Sequence, residues 1–299
     1  MMNVNSKQTE IINELTKKNA ILQKENEELK VEKANLERKL AQVQSQRSLH
    51  KKGDLVNQYT NSLLSAKEKV KLFRDIFKGR EDLYAIRWSS KDGKFGYTAA
   101  CHNEWVRELC QKPCHNCLNR DLLPLTDQVI YDHLAGRKTI GIYPLLLDDR
   151  CYFLAVDFDE GSYQNDALAY LNTAYDCGIK AYLEISRSGK GCHVWIFFTQ
   201  PIEATQARKL GELLLVKSQE NTKLNLKSFD RMFPNQDTLP KGGFGNLIAL
   251  PLQLGPRKQG FSVFVNRDFQ PYPDQWHFLE QVEKNSNLGG GCIWKLLKL

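Results

Sequence analysis

The chain has 299 residues, 42 Lys and Arg against 35 Asp and Glu, a formal net charge of +7, and 41% hydrophobic residues. That length carries one or two domains with a real core, the apolar fraction excludes a disordered chain, and the modest basic excess permits a nucleic-acid partner without requiring one. No run approaches the ~20 apolar residues of a membrane span, the opening MMNVNSKQTE holds no signal-peptide stretch, and eight cysteines are too sparse for a disulfide scaffold, so a soluble protein of a reducing, cytoplasmic compartment with no membrane partner is expected.

Residues 7–47 contain no Gly, Pro or aromatic residue. Leu15, Leu22, Leu29, Leu36 and Val43 recur every seven residues, with Ile12 and Leu40 at the companion seam, so residues 1–50 read as a coiled coil. Asn19, Asn26 and Lys33 weaken that seam, and the two Asn could fix the register of a coiled-coil homodimer; a lone solvated helix is the alternative. A polar linker is set at 51–70, and a short helix begins within it, over Ala66–Phe77. Strands Tyr84–Trp88 and Phe95–Ala100 flank Lys91-Asp92-Gly93, a tight hairpin turn. Thr126 caps a helix to about Ala135, strands Thr139–Leu146 and Cys151–Phe158 follow around Asp148-Asp149, and a helix over Asn165–Cys177 stops at Gly178. Strands Ala181–Ser186 and Cys192–Phe198 and a helix over Ala204–Gln219 come next. Without strict βαβ alternation, the fold class is α+β with antiparallel pairs. The main domain is set at 71–280, and 281–299, with Gly289-Gly290-Gly291-Cys292, reads as a flexible tail of an isolated domain.

Three constellations could carry chemistry. In Phe153-Leu154-Ala155-Val156-Asp157-Phe158-Asp159 the carboxylates of Asp157 and Asp159 project from one face of a strand and suit Mg²⁺ or Mn²⁺; a solvated acidic turn is the alternative. The run from Ser186 to His193 offers glycines, Arg187, Ser188 and Lys190, either a phosphate cradle or an ordinary Gly-rich hairpin. No Walker A spacing exists in the chain. Asp230, in Ser228-Phe229-Asp230-Arg231-Met232-Phe233-Pro234, is a candidate third carboxylate or a solvated loop residue, with Asp237 a weaker candidate. A glycine-rich stretch from Gly242 lies beside Lys241, Arg257 and Lys258.

Cys101, Cys110, Cys114 and Cys117 give C-x8-C-x3-C-x2-C, enough thiolates for a structural Zn²⁺ in a segment set at 101–120; free thiols are the alternative, with His102 and His115 as competing ligands. Cys151, Cys177 and Cys192 sit in apolar contexts and read as buried small hydrophobes. Trp195, Phe197 and Phe198 read as core, and Trp88, Tyr97 and Trp105 as packing rather than base-stacking residues.

Taken together, the motifs resemble the archaeo-eukaryotic primase superfamily: an Asp-x-Asp strand, a Ser-containing segment ending in His, and a later Asp, matched in order by Asp157 and Asp159, Ser188 to His193, and Asp230. The resemblance is closer still to the primase-polymerase domain of TOTE conflict systems, through Gly79-Arg80-Glu81-Asp82, Leu123-Pro124-Leu125-Thr126-Asp127, Gly141-Ile142-Tyr143-Pro144-Leu145-Leu146, Phe233-Pro234-Asn235-Gln236-Asp237 and Gly242 to Leu252, extending from about Lys71 to Phe278. It implies a core resembling an RNA-recognition-motif sheet with a zinc-binding insertion. It further implies a DNA-dependent primase or polymerase that extends a primer or starts from two nucleotides, with DNA template, primer and dNTP or NTP as partners. Asp157, Asp159 and Asp230 would hold two Mg²⁺ or Mn²⁺ ions, while Ser188, Lys190, His193 and Arg257 would contact the triphosphate. Related systems carry a helicase, expected here as a separate polypeptide or lost by truncation. Family members place a longer basic stretch between the second and third cysteine than Gln111-Lys112-Pro113, which makes Cys110 the least certain ligand. From residue types alone, a metal-dependent DNA phosphodiesterase and a non-catalytic zinc-containing DNA-binding module remain rivals.

Overall fold

The computed structural model describes residues 13–27, 29–30, 33, 63–111 and 117–286. Two compact units divide the chain, Met1–Tyr59 and Thr60–Leu299. In the first unit, residues 13–27 are helical (α1), with the heptad residues Leu15 and Leu22 exposed. Ile12, Leu36, Leu40 and Val43 lie outside the described residues, as do Cys114, His115 and most of the proposed tail.

The second unit begins with α2 (Ala66–Ile76). Ser65 caps it reciprocally with Glu68: the Glu68 amide donates to Ser65 Oγ at 3.3 Å, and the Ser65 amide donates to Glu68 Oε2 at 2.7 Å. Val70, Phe73 and Ile76 recur at helical spacing and are buried. A hairpin of β1 (Ala85–Ser89) and β2 (Phe95–Ala99) follows, then α3 (Asp127–Leu134), whose Val129 amide donates to Thr126 Oγ1, and β3 (Ile140–Ile142). The remaining elements are β4 (Arg150–Asp159), α4 (Tyr163–Asp176), β5 (Tyr182–Ile185), β6 (Gly191–Glu203), α5 (Ala204–Thr222), β7 (Phe229–Phe233), β8 (Ile248–Ala249), α6 (Leu254–Arg257), β9 (Val263–Val265) and α7 (Gln275–Glu280).

The strands make two antiparallel sheets, β2-β1-β3-β8 and β7-β4-β6-β5-β9. Helices α4 and α5 pack on each other and on β4 and β6, with Phe158 against Tyr170 at a ring separation of 5.8 Å. Trp195 and Phe197 meet Phe77 edge-on. Trp195, Phe197 and Phe198 are core, and Cys151, Cys177 and Cys192 are buried. Among the described residues no helix is long and apolar enough to cross a membrane.

One strand differs in length from the sequence reading. Thr139–Leu146 is strand only over Ile140–Ile142, and it pairs with β1 and β8 instead of β4. Pro144 cannot donate to a ladder, and the turn from Leu146 to Arg150, with Asp149 at φ 62°, sends β4 into the other sheet. A second difference concerns aromatic residues: Trp88 is 42% and Trp105 75% exposed, so neither belongs to the core.

Candidate functional site

Asp157 and Asp159 lie at the end of β4, in the middle of the larger sheet, so neighbouring strands set what surrounds them. Across one ladder Asp157 pairs with His193 of β6, and His193 pairs in turn with Glu184 of β5. Register partners share a face, which gathers Asp157, His193, Glu184 and Trp195 on the side opposite Val156 and Phe158.

Asp230 reaches this face through an irregularity. Along β7, Asp157 pairs with Arg231 but Phe158 pairs with Phe229, leaving Asp230 as the extra residue of a β-bulge. A bulge re-aims a side chain that strict alternation would send to the other face. As a result, ligand oxygens of Asp157, Asp159 and Asp230 all lie within 4.8 Å of one another; among the described residues this is the one such group of three metal-ligand side chains. Arg231 Nε donates to Asp230 Oδ2 at 2.6 Å. The start of β7 is anchored from α4: the Ser228 amide and hydroxyl donate to the buried Asp166 Oδ2 at 3.2 and 2.7 Å, and the Asp159 amide donates to the Ser228 carbonyl at 2.7 Å.

Asp157 is buried, whereas Asp159 and Asp230 are exposed. Burial pushes the Asp157 carboxyl up to about 6, with Asp159, Asp230 and Glu184 adding to the rise and His193 opposing it. Its Oδ1 is buried without a hydrogen bond, because His193 Nε2 comes only to 3.5 Å. A buried carboxylate oxygen beside two more carboxylates is costly unless a cation joins them. The donor set, all oxygen, fits a hard divalent ion such as Mg²⁺ or Mn²⁺.

On the far side, His193 Nδ1 lies 2.5 Å from Glu184 Oε2, which also accepts from Trp195 Nε1 at 3.2 Å. Burial depresses the His193 ring's pKa, but the Glu184 charge and hydrogen bond, with Asp157 and Asp159, outweigh it and raise the ring to about 9. The surrounding carboxylates thus favour the protonated ring.

The turn joining β5 to β6 flanks this group. Gly191 pairs with Asp159, and a Cβ there would stand 1.9 Å from Asp159 Oδ1 and 2.5 Å from the Phe158 carbonyl, so only glycine fits. Ser188 Oγ lies 3.0 Å from Ser186 Oγ and accepts from the Lys190 amide at 3.2 Å. Both Ser188 and Lys190 are exposed, and the Lys190 carbonyl accepts from the Glu160 amide at 3.1 Å, tying the turn to the end of β4. Arg257 is on α6, with its guanidinium 5.9 Å from the centre of the Trp276 ring. Asp237 is paired with Arg208 at 2.5 Å and takes no part in the triad.

Glu184, Arg231 and Asp166 were not singled out from the sequence. The available signal for Glu184 was a lone charge inside an apolar strand. For Asp166 it was an acidic residue one turn after Ser162 at the start of a helix.

Away from the triad, Cys101, Cys110 and Cys117 line one cavity with Asn103, Asn119 and Arg120. The Asp121 amide donates to Cys101 Sγ at 3.4 Å.

A family model described as the TOTE conflict system, Archaeo-Eukaryotic Primase domain, matches residues 68–288. No curated protein matches the chain in sequence. Among solved structures, the polymerase domain of ligase D from Mycobacterium tuberculosis in complex with DNA is similar at 11% identity over 78% of this chain and 88% of that one, with a TM-score of 0.37. A likeness that loose bears no weight beside the family match.

Proposed function

Because the chain belongs to the archaeo-eukaryotic primase domain family of TOTE conflict systems, we propose that it is a DNA-dependent primase-polymerase, a nucleotidyltransferase that extends a 3′-hydroxyl or begins a primer from two nucleotides. The observation that carries this reading is the convergence of Asp157, Asp159 and Asp230 from two strands distant in the chain, with the Asp157 Oδ1 buried and unbonded.

The three carboxylates would hold a pair of Mg²⁺ or Mn²⁺ ions. When bound, such a pair lowers the pKa of an attacking hydroxyl and neutralises the triphosphate and the leaving pyrophosphate. The chain's own residues then bind and orient. The charged His193 ring, aimed by Glu184, offers Nε2–H to a phosphate oxygen beside Asp157, while Ser188 and Lys190 supply a hydroxyl and a mobile ammonium in the adjoining turn. The work assigned to the protein is placement of anionic groups and balancing of their charge; no side chain needs to form a covalent bond.

In the same reading, Cys101, Cys110 and Cys117, which line one cavity, would join Cys114 around a structural Zn²⁺. The heptad segment would pair two chains through its exposed leucines.

Primer-template extension tests the proposal, with dNTP and NTP sets, Mg²⁺ and Mn²⁺, and unprimed templates alongside. Elongation by the wild type and a loss of about 10³-fold in Asp157→Ala or Asp230→Asn is expected, in line with the several kcal/mol that metal-held charge stabilisation supplies. Shortening of the labelled strand would instead make the same triad a nuclease. Equal product from wild type and variants would remove the catalytic assignment.

A further inference from the structure

Among the described residues, Arg231 is the one Lys or Arg that pairs with a member of the acidic triad, through Nε to Asp230 Oδ2 at 2.6 Å. It also stands opposite Asp157 in the β4–β7 ladder, while His193 stands opposite Asp157 on the other side. Cross-strand partners share a face, with Cβ atoms about 5 Å apart, so one row across the sheet reads Arg231, Asp157, His193 and Glu184. Nitrogen donors therefore flank the buried Asp157 from both neighbouring strands. The bulge that brings Asp230 to this face sets Arg231 beside it there.

The guanidinium is only partly used. Among the described residues the bond from Nε to Asp230 is its single hydrogen bond, so both Nη nitrogens lack an acceptor, and the side chain is 55% exposed. That bond takes one Asp230 oxygen and leaves the other to a metal ion. As an exposed ion pair between adjacent residues it does little for stability. Neutralising the triad does not account for Arg231 either, because two divalent ions would outweigh three carboxylates and leave the arginine's charge over. A positive surplus carrying a planar fork of unengaged N–H groups suits a multiply charged phosphate, which arginine grips through two parallel bonds.

We propose that Arg231 is a nucleotide-binding residue: Asp230 holds it at Nε, and its Nη fork takes the outer phosphates of the incoming triphosphate. The inference rests on the polymerase reading and deepens it by adding a contact from β7, on the side of Asp157 away from His193. Asp230 would then serve metal and nucleotide together, one oxygen for each.

Calorimetry on the full chain with Mg²⁺ measures the binding of a deoxynucleoside triphosphate whose α,β bridge is methylene, and of the matching monophosphate. Wild type is compared with Arg231→Gln and Arg231→Lys, each checked for an unaltered melting temperature, and Mn²⁺ binding without nucleotide is read by electron paramagnetic resonance. In Arg231→Gln we expect triphosphate binding to weaken about tenfold or more, the scale of one lost charge-assisted bond. Monophosphate binding should stay within twofold, and Mn²⁺ binding should be no weaker than in wild type. Arg231→Lys should recover only part of the loss, because an ammonium lacks the fork that joins Asp230 to a phosphate. Full recovery in Arg231→Lys would show that charge alone acts and would overturn the proposal, as would equal weakening of triphosphate and monophosphate. Weaker Mn²⁺ binding in Arg231→Gln would reduce the arginine to a support for Asp230, and wild-type triphosphate affinity would reduce it to a surface ion pair; either result overturns the proposal. A wild-type chain that makes no DNA, with triphosphate binding still lost in Arg231→Gln, would keep the site and refute the polymerase reading.

Discussion

His193 is held from behind by Glu184: Nδ1 and Oε2 are 2.5 Å apart, and Trp195 Nε1 fixes the same carboxylate oxygen at 3.2 Å. With Nδ1 engaged, the ring can turn only Nε2 towards Asp157, 3.5 Å away, so a carboxylate on β5 sets the direction of a donor on β6. Glu184→Gln keeps an acceptor but removes the charge that sustains the imidazolium. The expected result is a nucleotide KM about tenfold higher, the scale of one weakened charge-assisted hydrogen bond, with a melting temperature shifted by only a few degrees. Steady-state primer extension reads the first and calorimetry the second. An unchanged KM would reduce Glu184 to a packing role.

Asp166 fixes the third carboxylate without touching it. It accepts the amide and hydroxyl of Ser228, which lies two residues before Asp230 and whose carbonyl takes the Asp159 amide. Asp166→Ala leaves two buried donors without an acceptor, at a cost of about 2–6 kcal/mol from roughly 1–3 kcal/mol each. Extension activity measured well below the melting temperature should still fall at least tenfold, because the bulge carrying Asp230 loses its anchor. Full activity in a destabilised chain would show that β7 holds its register unaided.

How much of this was legible beforehand varied with the kind of signal. Asp157 and Asp159 could be put on one face because strand alternation is a local rule, and the cap at Thr126 follows from residues within one turn. Asp230 was a candidate, yet nothing local marked its bulge: a register shift belongs to two strands, and β4 and β7 are far apart in sequence. The separation of β3 from β4 was hidden for a similar reason, since an apolar run announces a strand without naming its neighbour. Trp88 and Trp105 read as packing because aromatic residues usually are, yet both are exposed, and exposure is a tertiary property that residue type does not carry.

Gly191 tests how tightly the turn and the acidic group are fitted. Its missing side chain is where Asp159 Oδ1 passes, and an alanine would put Cβ 1.9 Å from that oxygen and 2.5 Å from a backbone carbonyl. The carboxylate can swing away but the carbonyl cannot, so Gly191→Ala should cost about 1–3 kcal/mol in urea unfolding, typical of overpacking. Activity should fall about 100-fold, and raising the Mn²⁺ concentration should recover part of the loss if Asp159 is a displaced ligand. No recovery at any metal concentration would point to a collapsed turn instead.

The cysteine cavity makes a separate prediction that survives failure of the catalytic one. Purified chain should hold about one Zn²⁺ per molecule, released by a chelator with loss of structure local to residues 101–120 and a lower melting temperature. Cys117→Ser should lower the metal content to near zero while leaving the acidic triad's Mn²⁺ binding intact. Full metal content in Cys117→Ser would exclude that thiol as a ligand.

His133 gives the fold a pH limit independent of the site. It is fully buried, donates from Nε2 to the Pro251 carbonyl at 2.9 Å and accepts the Ile140 amide at Nδ1 at 3.3 Å, so the neutral ring satisfies both partners. A second ring proton would set two donors against each other at Nδ1. Burial accordingly pushes the ring down to about 4, from an ordinary 6.5, helped by the nearby charges of Arg257 and Arg187 and opposed by its backbone partners. Between those values the unfolded chain binds a proton that the folded chain refuses; the stability is complete above about 6.5 and drains away as pH falls towards 4. A depression of that size corresponds to about 3 kcal/mol. His133→Gln, which can keep one donor and one acceptor but does not titrate, should be less stable than wild type at pH 7.5 and lose the steepest part of the acid slope. Urea midpoints for the two chains should therefore converge as pH falls through that window, and parallel curves would place the acid sensitivity in other groups.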